Sequence, residues 1–163
     1  MSQPARVHPV TRGGLWLLIC VTLVAGFEGF ASKPYVDRVG RGHPETWCYG
    51  ATKAEGPPPP YSEVFTKREC QTLLGTSLYK YDSAVRACVH VPLPPHREAA
   101  LVSFAYNLGP RTLCRGPVAW HLNAGRVPAG CHAMLAYNHA RGVVLSGLTS
   151  RRQVEYHHCM RDD

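Results

Sequence analysis

Apolar and polar positions divide the chain into one long apolar run near the N-terminus and shorter amphipathic segments after it. The run extends from Gly13 to Phe27, fifteen residues without a charge, behind Arg6, His8 and Arg12. A positive region ahead of an apolar region is the layout of an export signal. As a helix of about 22 Å, the run is shorter than the roughly 30 Å hydrocarbon core of a bilayer. The pattern therefore leaves three interpretations open: a marginal membrane anchor, a signal peptide, or a buried first helix.

The pattern after this run predicts a small β-hairpin followed by helices. Lys33-Pro34-Tyr35 is expected to end any earlier helix, and residues 37–52 have the glycine, aromatic and β-branched content of a hairpin. The prolines at 57–60 predict an exposed, extended connector. A capping-box pattern, Thr66 to Glu69, opens a helix whose spacing continues to residue 88. Further helices are predicted over residues 98–108, ended by Gly109, and over 117–123, 131–139 and 149–160. This arrangement is an α+β fold, a small β-hairpin subdomain plus a mostly helical bundle.

Composition limits the classes of partner. The 163 residues suffice for one domain with a real core, and the formal net charge is +7. A positive charge favours an anionic partner, such as nucleic acid, a membrane surface or an acidic cell-wall polymer. The basic residues are scattered, with no run longer than the pairs Lys67-Arg68 and Arg151-Arg152. Because basic and aromatic residues do not alternate, we expect no nucleic-acid partner.

Seven cysteines are many for a chain of this size. They are dispersed, without a C-x-x-C motif, which favours an oxidised framework in an extracytoplasmic compartment over a zinc site. The odd count leaves at least one thiol unpaired. The candidates for redox or disulfide chemistry are Cys20, Cys48, Cys70, Cys88, Cys114, Cys131 and Cys159.

A pair of carboxylates directly follows the apolar run. Glu28 precedes Asp37 by nine residues, and Thr46 and Tyr49-Gly50 come after them. A glutamate at a helix end that faces an aspartate on a following hairpin is one way to build a two-carboxylate glycosidase site. Spacing alone does not exclude the alternative that both carboxylates are solvated surface groups.

Several ordered motifs extend this pattern over nearly the whole chain after about Leu23. They are Glu28-Gly29, Pro34-Tyr35-Val36-Asp37, Val39-Gly40, Thr46-x-x-x-Gly50, the segment 101–109, Leu122-Asn123-Ala124-Gly125, and Gly147-Leu148-Thr149-Ser150-Arg151-Arg152-x-x-Glu155. Together they resemble the bacteriophage lysozyme family, glycoside hydrolase family 24. The resemblance implies a lysozyme-like fold and a muramidase that cleaves the β-1,4 linkage between N-acetylmuramic acid and N-acetylglucosamine in peptidoglycan, without a cofactor or metal.

The resemblance also implies roles for individual residues. Glu28 is expected to be the general acid, and Asp37 and Thr46 are expected to position the attacking water in an inverting reaction. Candidates for lining the cleft are Tyr49, Phe104 and Asn107, although Phe104 equally suits the core. The chain departs from the family pattern in two places: residues 41–45 lengthen the turn before Thr46, and Ala51 stands where a histidine is common. The first departure makes Glu45 a further carboxylate of interest, with a solvated loop residue as the alternative.

The N-terminal run is similar to the weak anchors of signal-anchor-release endolysins within this family, because glycine, alanine and threonine dilute its apolar residues. This resemblance divides the chain into an N-terminal signal-anchor segment, residues 1–26, and a muramidase domain, residues 27–163. It implies export by the host secretion machinery, an inactive form held in the inner membrane through residues 13–27, and release into the periplasm as an active monomer on peptidoglycan strands. Glu28 then lies at the boundary between anchor and active site, which makes membrane topology the expected off-switch.

Cysteine chemistry offers a second control. After release, Cys20 is able to meet Cys48 and displace an earlier partner such as Cys70 by thiol-disulfide exchange. The alternative is that Cys20 is only a small apolar residue. Pairs of Cys88 with Cys114 and of Cys131 with Cys159 are structural candidates among many connectivities.

The cysteines and histidines of the chain also suggest three other function classes. Cys48 with His43 suggests a cysteine hydrolase, although oxidation of Cys48 abolishes it. Nine histidines, notably His157-His158 and His132, suggest a zinc amidase, although no H-E-x-x-H motif occurs. A non-catalytic, membrane-anchored oxidised domain is the last class.

Overall fold

The computed structural model of the protein describes residues 12–38 and 42–163. Arg6, His8, Val39, Gly40 and Arg41, which the sequence patterns include, lie outside the described residues. In chain order the elements are α1 (Arg12–Glu28), β1 (Ala31–Val36), β2 (Glu45–Cys48), α2 (Lys67–Cys88), α3 (Pro95–Leu108), α4 (Pro110–Arg115), α5 (Pro117–Asn123), α6 (Val127–Ala133), a 3₁₀ turn (Met134–Ala136), β3 (His139–Ala140), β4 (Val143–Val144) and α7 (Ser146–Cys159). Two short antiparallel hairpins, β1–β2 and β3–β4, accompany the helices.

Helix α3 is the centre of the bundle, as the apolar segment 98–108 predicts. Its residues from Ala99 to Ala105 are all buried, and α1, α2, α4 and α7 pack around it. The helix begins at Pro95, where a proline costs no hydrogen bond, and it ends at Gly109, whose φ is +88°. A residue without a Cβ adopts this left-handed conformation without strain.

Helix α1 packs along α3 and α2 through one of its faces. Trp16, Cys20 and Val24, spaced four residues apart, are buried in the core. Leu15 and Leu18 of the same helix are exposed. Burial of a large apolar side chain contributes about 1.5–3 kcal/mol, so this face fixes α1, and with it Glu28, to the body. Among the described residues, no helix has both the length and the apolar character needed to cross a bilayer.

The first hairpin begins earlier than residues 37–52 predict. Strand β1 starts at Ala31 and includes Lys33-Pro34-Tyr35, the segment expected only to break a helix. Pro34 is buried, and the pairing with β2 is irregular between Ala31 and Tyr35. A proline, which cannot donate a ladder hydrogen bond, is tolerated in a strand at such an irregularity.

The other helices confirm some predicted bounds and correct others. The capping box of Thr66 and Glu69 opens α2, and α5 spans residues 117–123 as predicted. The helix predicted over 131–139 was misplaced: α6 begins at Val127, with Pro128 in its first turn, and His139 lies in β3. Helix α4 and the β3–β4 hairpin were not predicted.

Three disulfides link the hairpin and the helices. Cys48–Cys70 links β2 to α2, Cys88–Cys114 links α2 to α4, and Cys131–Cys159 links α6 to α7. These pairs are the candidates named from the sequence. Cys20 is free and buried, so it accounts for the odd count.

Candidate active site

Glu28 is the last residue of α1, and an arginine of the last helix holds its carboxylate. Arg151 donates from Nη1 to Glu28 Oε1 at 2.5 Å, while the Glu28 side chain keeps 24% of its surface exposed. The Arg151 guanidinium also lies 4.8 Å from the ring centroid of Phe27. One carboxylate oxygen is thus occupied by a cation, and the group still reaches solvent.

The turn after β2 approaches the other oxygen of this carboxylate. Gly50 has a φ of +77°, and a Cβ built at this position would lie 3.2 Å from Glu28 Oε2. The preceding residue is fixed, because Tyr106 donates its hydroxyl to the Tyr49 carbonyl at 2.8 Å. Gly50 therefore serves both the backbone conformation of the turn and the space beside Glu28.

Asp37 and Thr46 converge on one backbone carbonyl. Pro44 O accepts the backbone N–H of Asp37 at 2.9 Å and the hydroxyl of Thr46 at 3.2 Å. Thr46 pairs with Tyr35 across the hairpin. The pKa of Tyr35 is raised, first by burial and then by the negative charges of Asp37 and Glu28. Asp37 and Glu28 thus both add negative charge near the Tyr35 phenol.

Beneath Glu28 lies a buried ionic network. Ser103 donates its hydroxyl to Glu155 Oε1 at 2.7 Å, and Arg151 Nε donates to the same oxygen at 3.1 Å. Arg152 Nε lies 3.0 Å from Glu155 Oε2, but neither of these two atoms makes an aligned hydrogen bond. Burial raises the pKa of Glu155 and lowers the pKa of Arg152. The positive charges of Arg151 and Arg152 thus neutralise the negative charges of Glu28 and Glu155. Buried charges require such pairing.

The three candidate cleft residues occupy different environments. Phe104 is fully buried and packs edge-on against Tyr137, so packing is its role in this structure. Tyr49 is also buried, with its ring beside Phe30. Asn107 is partly exposed and accepts from Arg152 Nη2 at 2.8 Å. Their contact with substrate stays a prediction.

The lengthened turn before Thr46 is described from Gly42 onward. Glu45 is a residue of strand β2, and its Oε1 accepts the hydroxyl of Tyr61 at 2.6 Å. This carboxylate therefore has a partner on the connector after the hairpin.

The structure gives no support to the two alternative enzyme classes, a cysteine hydrolase and a zinc amidase, among the described residues. Cys48 is bonded to Cys70, so its thiol is not available as a nucleophile beside His43. Over residues 12–38 and 42–163, no three histidine, cysteine or carboxylate side chains converge as a metal site would require.

Sequence reasoning assigned no role to the residues that hold Glu28. Arg151 and Glu155 are part of the quoted motif, and their spacing of four residues puts them on one helix face. The spacing of Arg151 and Glu155 was therefore a signal available in the sequence. The contact of Arg151 with Glu28 was not, because it joins residues 123 positions apart and depends on the folded structure.

A carboxylate at a helix end, and a small hairpin that carries an aspartate and a threonine beside a helical bundle, are the elements of a lysozyme-type glycosidase. The family described as Phage lysozyme matches residues 25–155. The chain therefore belongs to the phage lysozyme family and is a muramidase of the phage endolysin type.

Individual relatives agree with this assignment. The chain is 31% identical over 135 residues to a SAR-endolysin of Bacteriophage PS119, covering 83% of this chain and 77% of the relative. It is 29% identical over 165 aligned positions to a SAR-endolysin of Pseudomonas phage phiKMV. This match covers 98% of this chain and 93% of the relative. The muramidase domain of SpmX from Asticaccaulis excentricus superposes with a TM-score of 0.76 at 26% identity, covering 94% of this chain and 99% of that one.

Proposed function

We propose that the protein hydrolyses the β-1,4 bond between N-acetylmuramic acid and N-acetylglucosamine in peptidoglycan during host cell lysis, with Glu28, Asp37 and Thr46 as the catalytic residues. One observation carries the proposal: Arg151 binds Glu28 at the end of α1, and the Pro44 carbonyl accepts both the backbone N–H of Asp37 and the hydroxyl of Thr46 on the hairpin. The site thus offers a proton donor and a separate water-positioning pair.

The proposed mechanism divides the work between these two groups. Glu28 protonates the leaving glycosidic oxygen from the carboxylate oxygen that Arg151 does not bind. Because the Thr46 hydroxyl donates to Pro44 O, its lone pairs are free to accept a hydrogen bond from a water molecule. Asp37 accepts the proton of that water as it attacks the anomeric carbon from the opposite face, which inverts the configuration.

Product analysis tests the bond that is cleaved. Purified peptidoglycan digested with the enzyme should release new reducing sugar ends and no new amino groups. New amino groups would instead identify an amidase or peptidase, and neither product would identify a binding protein. Proton NMR of the first product, recorded before the anomers equilibrate, should show the α configuration; a β product would contradict the inverting mechanism.

Membrane topology is the proposed off-switch, as the SAR-endolysin names of the relatives suggest. In the inserted form, residues 13–27 lie in the inner membrane after export by the host secretion machinery, with the muramidase domain on the periplasmic face. The buried face of α1 is then in lipid, and α1 cannot pack on α3. Glu28 is consequently held at the membrane interface, where Arg151 cannot complete the geometry of the released, monomeric enzyme.

Comparison of inserted and released enzyme tests this control. Intact energised membranes that carry the inserted form should show peptidoglycan hydrolysis far below that of an equal amount of released enzyme. Equal rates per molecule would contradict topological control and leave the glycosidase assignment untouched. Exchange of Cys48 from Cys70 to Cys20 stays a prediction, since Cys48 is bonded to Cys70 in this structure and Cys20 is free.

A further inference from the structure

The positive charge of the protein is concentrated in one continuous segment. Residues 99–154 contain six of the 18 lysines and arginines and none of the 11 aspartates and glutamates. The segment therefore carries a formal charge of +6, which leaves only +1 of the total of +7 for the rest of the chain. Basic residues occur along the whole chain, whereas acidic residues are absent from residues 99–154. The net positive charge of this segment therefore results from its lack of acidic residues.

Two of the six arginines are buried and two others are exposed on one helix face. Arg151 and Arg152 belong to the network beneath Glu28. Arg111 and Arg115, four residues apart on α4, are exposed, and neither forms an ion pair within the part of the chain that the structure describes. Their charges remain available to an external anion.

An aromatic and cationic cluster follows on α5 and in the turn before α6. Trp120 of α5 is 64% exposed, and the Arg126 guanidinium lies 4.4 Å from its ring centroid. Arg126 is held in place by His121, because Arg126 Nε donates to His121 Nδ1 at 3.2 Å and the Arg126 backbone N–H donates to the His121 carbonyl at 2.9 Å. These contacts fix the position of Arg126 over the ring, while the Trp120 indole stays exposed to solvent.

We propose that Arg111, Arg115, Trp120 and Arg126, which are exposed on the neighbouring helices α4 and α5 and in the turn before α6, form a surface that binds the headgroup layer of an anionic phospholipid bilayer. Guanidiniums bind phosphate oxygens through paired hydrogen bonds. An indole suits the interface, where its ring enters the apolar boundary and its N–H stays hydrated. The surface keeps the released enzyme at the membrane without returning α1 to the lipid.

A bilayer fits this surface better than the stem-peptide carboxylates of peptidoglycan. Carboxylates in a hydrated network satisfy arginines but give an exposed indole no apolar layer to enter.

The fluorescence of the protein gives a direct test. Trp16 and Trp47 are 3% and 4% exposed, so Trp120 is the tryptophan that a surface ligand reaches. Vesicles of phosphatidylglycerol and phosphatidylcholine should shift the tryptophan emission to shorter wavelength, protect it from acrylamide and sediment the protein. Vesicles of phosphatidylcholine alone should do so weakly, and added salt should reverse the binding. The Trp120→Ala variant should lose the shift.

A matched pair of charge variants separates the surface from total charge. Replacing Arg111, Arg115 and Arg126 by glutamine should weaken vesicle binding about a hundredfold, from about 1 kcal/mol per basic residue near an anionic surface. Replacing the exposed residues Lys33, Lys53 and Arg68 by glutamine removes the same charge and should weaken it far less. Helix α1 is unchanged in both variants, so any contribution of α1 to binding cancels, and circular dichroism checks that both are folded.

Equal loss of binding in the two triple variants would overturn the proposal, because binding would then follow net charge alone. An unshifted Trp120 emission on vesicles would also overturn it. A shift caused by solubilised peptidoglycan fragments in place of vesicles would assign the surface to substrate and overturn the membrane assignment.

Discussion

Gly50 gives a sharp test of how closely the hairpin turn controls Glu28. In the Gly50→Ala variant, the new Cβ would lie 3.2 Å from Glu28 Oε2, so the carboxylate has to move by a few tenths of an ångström. The left-handed φ of +77° adds a backbone cost of about 1–2 kcal/mol for a residue with a Cβ. Since a displacement of about 1 Å costs about a hundredfold in rate, this smaller shift should reduce kcat by about tenfold.

Gly125→Ala is the matched control. Its φ is +73°, but a Cβ there meets no atom within 4 Å. Urea unfolding should show similar losses of stability for the two variants, and a reducing-sugar assay should show a loss of kcat for Gly50→Ala alone. If both variants were as active as the parent enzyme, or both lost activity equally, the close approach of Gly50 to Glu28 would have no catalytic meaning.

Three further predictions follow from the contacts around the site and the core. Arg151→Gln should destabilise the fold by about 3–5 kcal/mol, because it leaves Glu155 buried with one partner fewer, whereas the exposed Arg111→Gln should change the free energy of unfolding little; equal stabilities would contradict the network. Burial lowers the pKa of His96 and of His158, whose Nδ1 atoms lie 2.8 Å apart. Their neutral forms stabilise the fold above the ordinary pKa of about 6.5, and this contribution is lost as pH falls through the lowered pKa values. Urea unfolding of His96→Gln between pH 7 and 5 should therefore depend less steeply on pH, and an unchanged slope would show that the pair does not titrate on unfolding. Peptide mapping of the active enzyme should recover Cys48 linked to Cys70, with Cys20 alkylated only after unfolding; a Cys20–Cys48 peptide would support the exchange hypothesis instead.

Local sequence signals predicted the helix ends that are determined by neighbouring residues. The capping box at Thr66 predicted the start of α2 and the stop at Gly109 predicted the end of α3, because each signal acts within one helical turn. Pro34 was interpreted as a helix breaker, since the irregular pairing that admits it into β1 depends on the partner strand. Tertiary pairing thus overrode the local preference.

The candidate site shows the same division. Glu28, Asp37 and Thr46 were predicted from ordered motifs. The convergence of Asp37 and Thr46 on Pro44 O, and the contact between Arg151 and Glu28, depend on how hairpin and helices meet. Helix α1 is the most ambiguous segment, because an apolar run of this length suits both a weak anchor and a helix that buries Trp16, Cys20 and Val24. Its packing against α3 is the state that the structure describes, and the anchored state belongs to the proposed function.

The most direct measurement of the central claim is peptidoglycan hydrolysis by Glu28→Gln, with its thermal unfolding recorded in parallel. The amide keeps the size of the side chain but cannot donate the proton that the leaving oxygen requires. We expect a folded protein with the three disulfides intact and a release of reducing ends lowered by at least about a hundredfold. A folded Glu28→Gln variant that releases reducing ends at the parent rate would contradict the assignment of Glu28 as the general acid.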